Sequence, residues 1–431
     1  MVKGIYIFKK LVCCTKLIPK VFSRGYGRSF ILARLLTLLV VTISFVKAEA
    51  QDNGGFCTPN AVFDTLRDRT GKKYLLRDLQ VNPTYTFNNA SAVIATSCTA
   101  GYFNIYFAVN SGFDQNTLVH QQKRDVICKL FTDLSNWIVS PLTTTGVKVK
   151  ILIADPAAAL LANPAFVGGA TELYYVAGGQ SGIADPEIYK TIISGIDSYT
   201  AVGIPLAAMN GGFYHGMMMF NPSYNFNIDI ANSTMVSQTI YDLYSVALHE
   251  ATHMLGFGSL INFGGGSVFG AGLNYYSRYD TKLRSSAGAP LLSNGSGSCT
   301  VYNNSFTVNP LTIAIGNCTN SPSNVSNCGL AVRYVGSVNV PVFTPTCWMS
   351  GSSLSHFEDA CYLPAGFSST CTTSPPSTGF NDLYFVMSNA GGTGNCGIKR
   401  HLQPEEAKVL CDLGYSLRPQ YCAIRFHSNH P

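Results

Sequence analysis

The segment that most constrains how this 431-residue chain folds is Leu248-His249-Glu250-Ala251-Thr252-His253-Met254-Leu255-Gly256-Phe257-Gly258. Two histidines four residues apart meet on the same side of a helix, one turn apart. Two imidazoles so placed can each approach one Zn²⁺ ion at roughly 2.0–2.1 Å. Glu250 lies beside them, rotated off the ligand axis, where a carboxylate can take a proton from a metal-bound water. Gly256 follows three residues after His253. It suits a positive-φ helix end that turns the chain back beneath the metal.

A catalytic zinc keeps three protein ligands and an open position. Position 259, where a compact motif would place the next histidine, holds Ser259. The third ligand must come from elsewhere. The candidates are His120, His215, His356, His401, His427 and His430, or a carboxylate. His356 stands out in Leu354-Ser355-His356-Phe357-Glu358-Asp359. Downstream, Met387 ends the apolar run Leu383-Tyr384-Phe385-Val386-Met387, and a methionine beneath the metal gives a polarizable apolar floor.

The compartment is read from the rest of the chain. Charged residues make up only 12% and hydrophobic ones 46%, which excludes a charge-rich disordered chain. Nine of the 29 Lys and Arg, and one of the 23 acids, lie in residues 1–50. Residues 51–431 therefore carry a slight acidic excess, which argues against a nucleic-acid surface. A basic stretch, the apolar run Leu35–Val46 and Ala48-Glu49-Ala50 describe a secretory leader cleaved after Ala50. An uncleaved leader would instead act as a membrane tether. Twelve of the 14 cysteines follow the leader, an even set that in an exported chain reads as disulfides. Asn89, Asn232, Asn294, Asn303, Asn317 and Asn324 each begin an Asn-x-Ser/Thr glycosylation site, and the last four cluster in what should be an exposed insertion. The expected location is extracellular or at the cell surface.

Periodicity predicts strands over Tyr102–Val109, Val147–Ala154, Leu173–Ala177 and Met217–Asn221. Helices are expected over Thr117–Ile138, with Val119, Val126, Ile127, Leu130, Leu134 and Ile138 on its apolar face, over Met235–Leu255 and over Gln403–Leu413. A short helix is expected around Ala61–Arg67, and Pro186–Tyr199 reads as helix or strand. The order implies an α+β fold with helices packed on a mixed sheet. The organisation expected is a leader (1–50), a short N-terminal segment (51–100), an N-terminal subdomain with the zinc helix (101–260), a glycosylated, loop-rich insertion (261–352) and a small C-terminal subdomain (353–431).

Taken together, these motifs resemble the leishmanolysin-type metzincin proteases. His249, Glu250, His253 and Gly256 match that family's helix motif. Ser355-His356-Phe357-Glu358 is similar to the context of its distant third histidine, and Met387 to its Met-turn. Leu402-Gln403-Pro404 through Asp412-Leu413-Gly414-Tyr415 resembles its closing helix. The resemblance spans roughly residues 100–420. It implies a metzincin-like catalytic domain with a twisted mixed sheet and an active-site helix. It further implies one catalytic zinc ion on His249, His253 and His356, with Glu250 as general base. The expected protein is then a monomeric, secreted zinc endopeptidase acting on protein or peptide substrates.

The competing expectation is a non-catalytic surface or adhesive glycoprotein that keeps a structural zinc site. Retention of Glu250 speaks against it, because a purely structural site needs no base. His215 reads as an ordinary polar loop residue. Cys422, His427 and His430 read as a disulfide and a frayed tail. Gly264-Gly265-Gly266 lacks the Gly-Lys-Ser/Thr of a phosphate loop, and no Gly-x-Ser-x-Gly elbow occurs.

Overall fold

A computed structural model describes residues 65–419, apart from 76–78, 80, 82–85, 88–89, 92, 157, 163–165, 177–180, 202–211, 233–236, 238, 271–272, 295–305, 309–330, 346–347, 363–384 and 389–393. The fold is α+β. Two short strands, β1 (Thr65–Arg67) and β2 (Lys73–Leu75), form an antiparallel hairpin. Its turn is set by Asp68, whose carboxylate accepts the N–H groups of Thr70 and Lys72 and the Tyr74 hydroxyl. The helix expected around Ala61–Arg67 is thus replaced over Thr65–Arg67 by a strand. Local propensity gives way there to a turn that an aspartate side chain can close on itself.

The main sheet follows. Strand β3 (Ile94–Ala100) pairs antiparallel with β4 (Phe103–Ala108), and helix α1 (Leu118–Trp137) then crosses to β5 (Val149–Ile153). Strand β6 (Gly168–Glu172), helix α2 (Glu187–Ser194), strand β7 (Gly216–Phe220) and helix α3 (Leu243–Met254) complete it. The strand order is β3-β4-β5-β7-β6; β4, β5 and β7 are parallel, and β6 runs antiparallel at the edge. Alternation along β5 sends Ile151 and Ile153 to one core and Leu152 to another. The first core takes Val126, Ile127, Leu130 and Leu134 of α1 and Ala247, Leu248 and Ala251 of α3. A disulfide joins Cys98 of β3 to Cys128 of α1, so part of the expected cross-linking is present; Cys361 is also disulfide-bonded.

Three expectations are corrected. Val119 does not join the apolar face of α1; it sits in the first turn at 51% exposure, beside an equally outward Leu118. The strand placed at Leu173–Ala177 lies at Gly168–Glu172 instead, because those residues are in register with β7 from Phe220 back to Gly216. Beyond it, Tyr174 pairs only with Arg67 of β1. Helix α3 starts at Leu243 rather than Met235. Tyr241 and Asp242 are drawn into a parallel pair with Phe226 and Asn227, and Asp242 caps the helix by accepting the Ser245 N–H. The open segment Pro186–Tyr199 is helical over Glu187–Ser194 and Ser198–Ala201.

After α3 come short antiparallel strands β8 (Leu283–Arg284), β9 (Arg333–Val335) and β10 (Asn339–Pro341). Leu283, Tyr334, Val340 and Val342 share the core of the main sheet, so these parts of the expected insertion are interior. Helix α4 (Pro404–Leu413) is entered through a capping box and ended at Gly414 with φ of 111°, and after it Ser416–Leu417 pairs antiparallel with Ile138–Val139. Among the described residues no helix is long and apolar enough to cross a membrane.

Candidate metal centre

Helix α3 lies against edge strand β6 and strand β7. The approach to β7 is close: a Cβ on Gly216 would stand 2.6 Å from the Met254 sulfur, so a larger residue there would force that side chain to move. This places His249, Glu250 and His253 at the sheet edge. Directly after the helix, Gly256 takes φ of 93°, the left-handed turn expected of it. The turn aims the Phe257 carbonyl back at His253, whose Nδ1 lies 2.7 Å away.

His356 comes from a loop some hundred residues downstream, yet its Nε2 stands 3.1 Å from His253 Nε2 and 3.2 Å from His249 Nε2. The three side chains form the cluster among the described residues that can hold a metal ion, their ligand atoms within 4.8 Å of one another. The other histidines do not reach it. His120 sits beside Asp114 at the start of α1, His401 is exposed, and His427 and His430 lie outside the described residues. His215 lies in the loop expected of it, one residue before β7, but it is fully buried and not an ordinary loop residue, its Nδ1 accepting the Lys150 N–H and its Nε2 3.6 Å from Asp197.

The donor chemistry decides what the cluster fits. Each Nδ1 faces a backbone carbonyl: His249 meets Val386 at 2.7 Å, His253 meets Phe257 at 2.7 Å and His356 meets Ser352 at 3.0 Å. A carbonyl oxygen only accepts, so each Nδ1 carries the proton and each Nε2 presents a lone pair. Three lone pairs converging at 3.1–3.2 Å in a buried site repel one another unless a cation lies between them. Two ligands at 2.0–2.1 Å and tetrahedral angles stand about 3.3–3.4 Å apart, close to the spacing seen. The carbonyls supply the outer hydrogen bonds that fix tautomer and ring orientation. Burial pushes the imidazoles toward the neutral, ligating form: His249 falls to about 4, and His253 and His356 fall well below their ordinary value.

Glu250 is also buried, and burial, opposed in part by the Arg69 guanidinium and a hydrogen bond from the Ala170 backbone, leaves its carboxyl raised to about 7. Glu172, on the same face of β6 as Ala170, is raised to about 7 by the same desolvation, with the Arg69 Nε 3.7 Å from its carboxylate. Arg69 lies in the β1–β2 turn. Neither Arg69 nor Glu172 carries a local motif, and only the pairing of Arg67 with Tyr174 brings the arginine here. Ser259, in place of a compact motif's ligand, has a structural role instead. Its N–H donates to the Ser355 hydroxyl, tying the turn after α3 to the residue beside His356.

Met387 is completely buried in the turn Phe385–Ser388, next to the Val386 carbonyl that holds His249. Of the glycosylation candidates, Asn232 is exposed and Asn294 ends the short strand Leu292–Asn294; Asn89, Asn303, Asn317 and Asn324 lie outside the described residues. Comparison with family models, with curated proteins and with solved structures finds no match to this chain.

Proposed function

We propose that the protein is a zinc-dependent endopeptidase of metzincin type, similar to leishmanolysin. The observation that carries the reading is the trio of converging Nε2 lone pairs with a buried carboxylate, Glu250, one residue from the first ligand. A structural site needs the three imidazoles but not the carboxylate. His249, His253 and His356 would hold the ion. Zinc supplies a Lewis acid and lowers the pKa of water towards about 7.

The remaining chemistry belongs to the chain. Glu250 has ordinary carboxylate basicity raised by burial, so it can take a proton from the attacking water and release it to the leaving amine. The Arg69 guanidinium favours the charged form of Glu250, the form that first step needs. The antiparallel edge strand β6 offers backbone groups to which an extended peptide can add as a further strand. The leader, the even cysteine set and the glycosylation sites support action outside the cell.

The test is hydrolysis of denatured casein by the secreted protein, with a chelator arm and the Glu250→Ala variant alongside. Hydrolysis that the chelator abolishes, and that Glu250→Ala lacks while retaining metal, supports the reading. A Glu250→Ala protein that cleaves as fast as the parent overturns it.

A further inference from the structure

The turn Phe385–Ser388 is not part of any helix or strand, so its backbone groups must find partners elsewhere. Buried charged side chains supply several of them. The Phe385 N–H donates to Asp359 at 3.3 Å, and the Phe385 carbonyl accepts from Lys399 Nζ at 2.6 Å. The Met387 N–H donates to Glu406 Oε1 at 2.6 Å. The other oxygen of Glu406 accepts the Gln403 N–H at 2.7 Å, closing the capping box at the start of α4. Glu406 is fully buried. Burial raises its carboxyl, and the two N–H groups and the Lys399 ammonium oppose that rise and favour the carboxylate.

The outer groups of this turn lead straight to the histidines. The Val386 carbonyl accepts from His249 Nδ1 at 2.7 Å, and the Met387 carbonyl accepts the N–H of Phe357, the residue after His356, at 2.7 Å. One residue, Met387, is thus gripped by Glu406 on its N–H side and grips the His356 segment on its C=O side.

We propose that Glu406 is a positioning residue for the three-histidine centre: its carboxylate fixes the Met387 turn, and through that turn the rings of His249 and His356. A cap alone does not account for a buried acidic group. Glutamine completes a capping box as well as glutamate and without the cost of burying charge. What a carboxylate adds is the capacity to accept two backbone N–H groups at once with short, charge-assisted bonds. Glutamine has one acceptor oxygen, and its amide would set a donor against one of those two N–H groups. Lys399 makes the burial tolerable. Its ammonium is attracted by both Glu406 and Asp359, and its own N–H donates to the Ser245 hydroxyl in the first turn of α3. The cluster therefore ties the start of the histidine helix and the Met387 turn to one another.

This inference rests on the three-histidine site binding a metal, and the experiment separates the two. Zinc affinity is measured by chelator competition, and the visible spectrum of the cobalt-substituted protein is recorded, for the full-length parent, Glu406→Gln and Gln403→Ala. Gln403→Ala removes the side-chain half of the same capping box and leaves both bonds of Glu406, to the Gln403 and Met387 N–H groups, in place. The expected result is a loss of about 10–100-fold in zinc affinity and altered cobalt bands for Glu406→Gln. Gln403→Ala, equally folded by circular dichroism, keeps the parent affinity and spectrum. Should Glu406→Gln fail to fold, Lys399→Gln, which frees the Phe385 carbonyl, is read in the same way. Glu406→Gln with parental affinity and an unchanged spectrum overturns the positioning role while leaving the metal site standing. A parent that binds neither ion overturns the metal reading and this inference with it.

Discussion

The centre is assembled from two regions that solve the same problem differently. On helix α3, His249 and His253 are aligned by the helix itself, whose start is capped by Asp242. His356 and Met387 come from irregular backbone, Met387 from the turn Phe385–Ser388. It is held by Asp359, Lys399 and Glu406 reaching in from three points of the chain. Regular structure positions ligands by periodicity. Irregular structure positions them by buried, hydrogen-bonded charge, which is costly when one partner is lost.

Breaking each region in turn tests that contrast. The largest effect is expected from His356→Ala, which removes the ligand that the helix cannot replace. Peptide hydrolysis falls to background and zinc is lost on dialysis, whereas His215→Ala and His401→Ala keep the parental metal content. Equal zinc in all three variants contradicts the division of labour. Next comes Glu250→Gln, on the helix but not a ligand. Its kcat drops by about 10²–10⁴ with zinc retained, as for loss of a general base.

A third comparison lies outside the centre. Replacing both Cys98 and Cys128 by serine opens a loop closed across 30 residues and should cost about 3–4 kcal/mol in stability. Denaturant unfolding reads that cost, and the zinc affinity of the folded variant should stay parental. A parallel loss of zinc affinity would show that the sheet and the centre are not independent.

The smallest effect is on pH. In the metal-free protein His249 takes up its proton only near 4, while the unfolded chain does so near its ordinary 6.5. Between those values the unfolded state binds more protons at this ring, so its contribution to stability is greatest above about 6.5 and falls as pH is lowered through the interval. His253 and His356 act in the same direction. Glu250 and Glu172, raised to about 7, act the opposite way, so the rings are read individually: an imidazole NMR signal of His249 in the metal-free protein that titrates at its ordinary 6.5 would contradict the burial assigned to it.

What the sequence reveals follows the same division. His249, Glu250, His253 and the Gly256 turn are readable because they depend on spacing within one helix, and the strands at β4, β5 and β7 are readable from their apolar runs. His356 and Met387 can be picked out only by their local context and a family likeness, since nothing in periodicity joins residue 253 to residue 356. Arg69, Glu172, Lys399 and Glu406 are silent in the sequence. Their positions depend on register, such as that of Tyr174 against Arg67, and on which carbonyls an irregular turn leaves unpaired. The misplaced start of α3 has the same origin, because Tyr241 and Asp242 serve a strand pair fixed by residues 226–227.

X-ray absorption at the zinc edge of the purified full-length protein tests the central claim most directly. The account predicts one zinc per chain, with three imidazole nitrogens at roughly 2.0–2.1 Å and a non-protein oxygen completing the shell. A protein that retains no zinc, or whose zinc shell contains fewer than three imidazoles, contradicts it.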